Sequence, residues 1–380
     1  MMVDMGLSNA QVTAWTSLLA MPWSLKALWS PWICHTRRWM WTMQVMLAVC
    51  MSGVALSLFA GNNWLVWCLA SLTVGAFASA SYDVACDGFY MQVLDEDEQS
   101  FFVGIRSAAY RMSMVFGNGM LTALVGLLVR GNGLQTESAW FAVMLGVAVL
   151  MLGFGFVHRW MLPKARGDRQ GTSRAVAWRQ SFVAFVRKPG LWFVLLFLLS
   201  YRLGEALLSK VTILFLKAPV EDGGLGLDNA EYGLVYGTIG ACTLIAGGVL
   251  GGMLMSRYGL RRCVFPLALA LNLPDLLYVW MSVAQPSNLW LIGTLVGIEQ
   301  FGYGLGFTAY MVYMLQNAQG PHSTAHYAFL TALMAIGMNL PSMLSGWMQE
   351  RMGYTQFFWV VIACTVPGLI LSVILSKRNR

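Results

Sequence analysis

ASYDVACDG, Ala80 to Gly88, sets Asp83 and Asp87 inside a run otherwise apolar enough to cross a bilayer. Their i, i+4 spacing puts both carboxylates on one face of a helix. Two carboxylates so close in a low dielectric do not readily both stay ionised. A carboxylate that takes up and loses a proton near neutral pH is what proton coupling requires. The plainer alternative is that one of them caps or bridges a neighbouring helix through an arginine. Gly88 and a position deeper than the acidic stretch Asp95 to Glu98 favour Asp87 as the functional acid.

Outward from this stretch, the same contradiction recurs along the chain. Lys26, Arg106, Arg111, Arg202 and Lys210 fall in apolar spans, and so do Asp83, Asp87, Glu205, Asp275 and Glu299. An ion at the bilayer centre costs about 2.5–3.5 kcal/mol, so ten without partners would cost about 25–35 kcal/mol. That exceeds the net stability of a folded domain. Ions of opposite sign must therefore face one another across a polar interior, which in a many-helix membrane protein points to a transport pathway.

Of the 380 residues, 58% are hydrophobic and 11% charged, against about 25% charged in soluble domains. Spans are expected at about 10–33, 40–60, 64–94, 99–129, 138–162, 189–217, 228–256, 262–284, 288–318, 323–349 and 354–376. They are too long for barrel strands, and backbone groups in lipid must be satisfied within the segment, so the class is an all-α membrane protein. The seven cysteines show no regular spacing, and neither a disulfide framework nor a zinc site is expected. The net charge of +7 resides in loops and does not point to nucleic acid.

Residues 1–162 form a five-span bundle on this reading, 163–188 a basic linker and 189–380 a six-span bundle. The linker's Lys164, Arg166, Arg169, Arg174, Arg179, Arg187 and Lys188 share one side with Arg37/Arg38, Arg257/Arg261/Arg262 and Lys377/Arg378/Arg380. By the positive-inside rule that side, with the C-terminus, is cytoplasmic. Unequal halves are unusual among two-bundle carriers. The expectation is that a first helix is missing from the chain; a true eleven-span protein is the alternative.

The remaining motifs each have a plain and a functional interpretation. In AYRMSM (Ala109 to Met114), Arg111 lies deep in its span and needs a carboxylate or an anionic ligand; Asp83 and Asp87 are the expected partners. Arg106 is nearer an end and snorkels. SYRLGEALLSKV (Ser200 to Val211) places Arg202 and Glu205 three apart, able to pair within one helix, while Lys210 points elsewhere. EQFGYGLGFTAY (Glu299 to Tyr310) is a glycine-punctuated stretch that favours close helix approach. Its Tyr303 and Tyr310 either stack on sugar rings or simply pack. Lys26, before LWSPW (Leu28 to Trp32), snorkels or joins the pathway. Asp275, after Pro274, is taken as structural, and His322 and His326 as capping residues rather than metal ligands.

GGMLMSRYGLRR (Gly251 to Arg262) resembles the loop motif of the major facilitator superfamily, with Ser256 where an aspartate is usual. CHTRRW (Cys34 to Trp39) keeps the paired arginines of the first-half counterpart. LWSPW, ASYDVACDG, AYRMSM, SYRLGEAL and VPGLIL (Val366 to Leu371) together resemble the AmpG-type muropeptide permeases and their acetyl-coenzyme A and siderophore-type relatives. The resemblance implies two rocking bundles and proton-driven import of anhydro-muropeptides across a bacterial inner membrane. It implies proton-coupling roles for Asp83, Asp87, Glu205 and Glu299, and substrate contacts for Arg111 and Arg202. Lys210, Tyr303 and Tyr310 complete the candidate substrate set. No cofactor, metal or nucleic acid is expected; the partners are an amphiphilic glycopeptide-like small molecule and the lipid bilayer, and the carrier is monomeric. The rival functions are a siderophore or acetyl-CoA-like carrier, an intramembrane transferase using His322 or His326, and an inactive truncated remnant.

Overall fold

The computed structural model describes residues 21–33, 36–163 and 174–377, with a few isolated positions before residue 21. At some helical positions, Arg111 and Arg174 among them, the backbone alone is described. Lys164, Arg166, Arg169, Arg378 and Arg380 lie outside these residues. Among the described residues there is no strand, as the apolar runs require.

Six stretches are long and apolar enough to cross a membrane: Thr36–Ser57, Gly61–Val93, Thr136–Met161, Leu191–Lys217, Gly233–Ala284 and Ser323–Lys377. The last two, of 52 and 55 residues, are each long enough for two crossings at about 20 residues apiece. Each carries one non-helical glycine, Gly259 (φ 74°) and Gly353 (φ 75°). Only a residue without Cβ takes this conformation without strain. Both breaks fall between spans that the apolar pattern separates, 228–256 from 262–284 and 323–349 from 354–376. The helix Leu289–Ala318 and the tandem Glu96–Val115 and Leu121–Asn132 supply the other long elements.

Helix starts follow local chemistry. Asp95 Oδ1 accepts from the Glu98 N–H while Glu98 Oε2 accepts from the Asp95 N–H (2.8 and 3.1 Å). Asp228 and Glu231 repeat the arrangement. These are reciprocal capping boxes, which accounts for two acidic stretches without invoking substrate. Asn288 Oδ1 accepts from the N–H groups of Trp290 and Leu291 and opens Leu289–Ala318.

The chain forms two compact units. The first gathers the described residues up to Leu94, with Met112–Val186 and Ala318–Ala332. Its core near the aspartates is Ile33, Met40, Val84, Ala85 and Ala328, flanked by Trp29 and Trp39. The second takes Asp95–Arg111, Arg187–Asn317 and the described residues from Leu333 onward. Its core is aromatic, with Phe215, Tyr278, Phe357 and Phe358 buried together. In that unit Leu289–Ala318 lies backbone to backbone against Ala241–Asn272. A Cβ on Gly302 would meet the Ala270 carbonyl, and one on Gly304 the Leu244 carbonyl. This is the close approach that the glycines of EQFGYGLGFTAY predict.

Candidate functional site

In the first unit the site begins with LWSPW. Lys26–Leu28 and Ser30–Trp32 form two short 3₁₀ turns, with Pro31 pre-setting the second. Trp29 fastens them to the helix Trp64–Val93: its Nε1–H donates to Ser81 Oγ (3.0 Å), and its ring packs 5.4 Å from Phe77. The anchoring aims Lys26 at the aspartates. Lys26 Nζ stands 2.5 Å from Asp83 Oδ2 and 3.9 Å from Asp87 Oδ2. The Lys26 and Asp87 side chains are 6% and 2% exposed, whereas Asp83 is 35% exposed. Asp83 therefore faces an accessible space and Asp87 the interior.

Lys26, left between snorkelling and pathway by sequence, is thus a member of the site. Arg111, the partner expected for the aspartates, lies on Glu96–Val115 with its side chain outside the described residues. A second polar layer had no signal in the sequence reading. His158 Nδ1 bonds Gln44 Oε1 (2.8 Å), Gln44 Nε2 donates to Tyr82 Oη (3.3 Å), and the Tyr82 and His158 rings stack.

In the second unit the helical run breaks at Arg202 (φ −114°, ψ 18°), which ends Leu191–Tyr201 and precedes Leu203–Lys217. Arg202 and Glu205, able to pair along one continuous helix, are here separated by a break in the helical backbone. Arg202 Nη2 instead donates to Tyr303 Oη (2.5 Å). Its guanidinium lies over the rings of Phe307, Tyr303 and Tyr310 at 4.8, 5.3 and 5.7 Å. The aromatic stripe is therefore a cage for a cation. Arg202 is 6% exposed, and its Nε–H has no hydrogen-bond partner.

The two tyrosines differ within that cage. Tyr303 meets the guanidinium, whereas Tyr310 is buried with its hydroxyl donating to the Leu198 carbonyl (3.0 Å), a packing arrangement. Lys210 is exposed and lies off the buried face that holds Gly204–Leu208. The structure does not bring it to Arg202.

Glu205 and Glu299 are both buried. Glu299 Oε2 accepts from Tyr278 Oη (3.1 Å) and Gln300 Nε2 (2.9 Å). Asp275, assigned a structural role by sequence, is 3% exposed and within electrostatic reach of both glutamates. His322 Nδ1 bonds Ser181 Oγ (3.1 Å), and His326 Nε2 lies 3.2 Å from the Ser181 carbonyl and so is the donor. Both histidines hold the helix Arg174–Val186, in keeping with a structural assignment.

The sequence matches the family model described as the Major Facilitator Superfamily over residues 1–320. It is 26% identical to the anhydromuropeptide permease of Escherichia coli K12 over 370 residues, covering 94% of this chain and 71% of that protein. It is 23% identical to the putative transporter AmpG 4 of Rickettsia felis, covering 99% of this chain and 90% of the relative. The fold is shared with a bacterial homologue of the iron transporter ferroportin in its outward-facing state. The TM-score is 0.70 at 14% identity, over 99% of this chain and 93% of that one. It is shared equally with the transporter FucP in the outward conformation, TM-score 0.69 at 13% identity, over 99% and 92% of the two chains. Relatives named as transporters, a match over most of the chain and helices built to cross a bilayer converge: this multi-pass membrane protein belongs to the Major Facilitator Superfamily.

Proposed function

We propose that this protein is a proton-coupled symporter of the bacterial inner membrane that imports anhydromuropeptides into the cytoplasm. It works as a monomer without a cofactor, its C-terminus on the cytoplasmic side. One observation carries the proposal: the buried Lys26 ammonium is held between Asp83 and Asp87 in an otherwise apolar stretch. A charged group in such a place marks an ion or substrate path. In the proposed cycle, a proton arriving from outside neutralises one aspartate and loosens its hold on Lys26. The freed positive charge then favours a carboxylate of a peptide stem, and Arg111 is proposed as a separate substrate contact.

The second unit supplies Arg202 with an unmet N–H. Its aromatic surround suits one carboxylate or a sugar face better than a polyphosphate. Each proton moving inward gains about 2.3 kcal/mol per 100 mV of membrane potential.

The test is uptake of labelled anhydromuropeptide by proteoliposomes under an imposed inward proton gradient. Accumulation should collapse with a protonophore and fall at least tenfold in Asp87→Asn, while exchange of substrate across the membrane persists. Uptake that ignores both the gradient and Asp87→Asn overturns proton coupling. Uptake of a siderophore or an acyl-coenzyme A instead overturns the substrate.

A further inference from the structure

One acidic side chain of the second unit, Asp275, is buried with a carboxyl oxygen that has no hydrogen-bond partner. Asp275 closes the 3₁₀ turn Leu273–Asp275, where Pro274 interrupts the run between Ala241–Asn272 and Leu276–Ala284. The turn aims its carboxyl inward. Asp275 is 3% exposed, and its Oδ1 has no hydrogen-bond partner. Gly204 lies against the carboxyl, where a Cβ would stand in ordinary contact, 3.6 Å from Asp275 Oδ2.

The charged groups that bear on it are Glu205, from Leu203–Lys217, and Glu299, from Leu289–Ala318, and both are acids. Ser323–Lys377 also packs here, with the Val361 carbonyl and the Thr365 methyl against Gly204. Arg202, three positions before Glu205, is directed at Tyr303, Phe307 and Tyr310. Tyr278 Oη and Gln300 Nε2 direct their hydrogen bonds to Glu299.

An ionised carboxylate keeps a buried place only with donors or a countercharge. Asp275 Oδ1 lacks a donor, and its charged neighbours are of its own sign. A second unmet acceptor, Asn272 Oδ1, lies one turn earlier and is likewise buried. The described carboxylates form no group able to hold a metal ion. The cation small enough to reside among them is a proton.

We propose that Asp275 carries a transported proton and forms, with Glu205 and Glu299, a second protonation site distinct from Asp83 and Asp87. The step is a plain transfer. The Asp275 O–H breaks as an O–H forms on ionised Glu205 or Glu299, and that proton leaves to water. A proton entering from the other side restores Asp275, so each turnover passes one proton and returns the cluster to its starting charge. The assignment of this proton to transport rests on the symport proposed above; the protonation of Asp275 does not.

Infrared spectra of the purified full chain separate the two. At neutral pH the wild type should show a carboxylic-acid carbonyl band that shifts in heavy water. The band should be lost in Asp275→Asn and kept in Asp83→Asn. A band unchanged in Asp275→Asn overturns the proposal. Should that variant fail to fold, Asp275→Glu serves: a displaced band supports the assignment and an undisplaced one overturns it. In proteoliposomes, protons taken up per anhydromuropeptide should fall by about one in Asp275→Asn, and an unaltered ratio also overturns it. A wild type that moves no anhydromuropeptide sinks the proposed function while leaving the infrared result standing.

Discussion

At the scale of single residues, the decisive partner in the first unit is Lys26. Its ammonium faces two carboxylates while 6% exposed. Removing one member of a buried charge pair typically costs about 3–5 kcal/mol, because the other charge stays behind without compensation. Lys26→Ala is therefore expected to lower the thermal midpoint of the detergent-solubilised protein and to abolish uptake. Lys26→Met combined with Asp83→Asn and Asp87→Asn removes the lysine and both acids together, and should recover most of the midpoint but none of the uptake. A dye-based melting curve on the two variants checks this; equal midpoints would mean the ions are solvated rather than buried. Asp83, Asp87, Glu205 and Glu299 stand out in the sequence because an ion inside an apolar run is conspicuous by itself. Their partners do not. Lys26 reaches Asp83 across 57 positions through a turn that Trp29 anchors to Ser81. The plain alternative that pairs Arg202 with Glu205 presupposes a continuous helix where the backbone breaks. Asp275 reads as structural because the acids that other helices bring to it are invisible from a proline-linked position in the sequence.

At the scale of elements, glycines separate positions that hold helices together from positions that merely occur. Gly302 lies where a Cβ would meet the Ala270 carbonyl, a backbone atom that cannot step aside. Overpacking at such a contact costs about 1–3 kcal/mol, so Gly302→Ala is expected to destabilise the second unit and pull Glu299 and Tyr303, on the same helix, out of register. Gly346, also helical, has open space around its Cβ position. Gly346→Ala should be neutral or stabilise by roughly 0.5–1 kcal/mol through reduced backbone freedom. Melting curves and uptake of the two alanine variants, side by side, check the contrast; equal losses would remove the close-contact explanation. Helix positions were legible because an apolar run of about 20 residues has few other solutions in lipid. The glycine spacing of EQFGYGLGFTAY pointed to close packing but not to which neighbour receives it. The π-helical turns at Phe116–Met120 and Gly233–Gly240 left no mark in the apolar pattern. They change hydrogen-bond register without changing composition.

At the scale of the whole molecule, the strongest signal in the sequence is the uneven placement of arginine and lysine, and it makes a directional prediction. The turn Val220–Asp222 follows Leu203–Lys217 and carries two acids. The helical segment that begins at Asn229 runs to the break at Gly259, beside Arg257, Arg261 and Arg262. Some 30 helical residues rise roughly 45 Å, more than the hydrocarbon core. Asp222 and Arg261 flank this segment and are therefore expected on opposite faces of the bilayer. The positive-inside rule puts Arg261 in the cytoplasm. Cys242 is exposed and carries a native thiol in the same segment, so the labelling background has to come from a Cys242→Ala chain. In that background, Asp222→Cys should react with a membrane-impermeant maleimide on intact cells, and Arg261→Cys only after lysis. The reverse pattern would invert the orientation, and with it the direction in which a proton descending the membrane potential drives substrate. Labelling of both from one side would show that the segment does not cross at all, and the buried ions would then need a different explanation from a transport path.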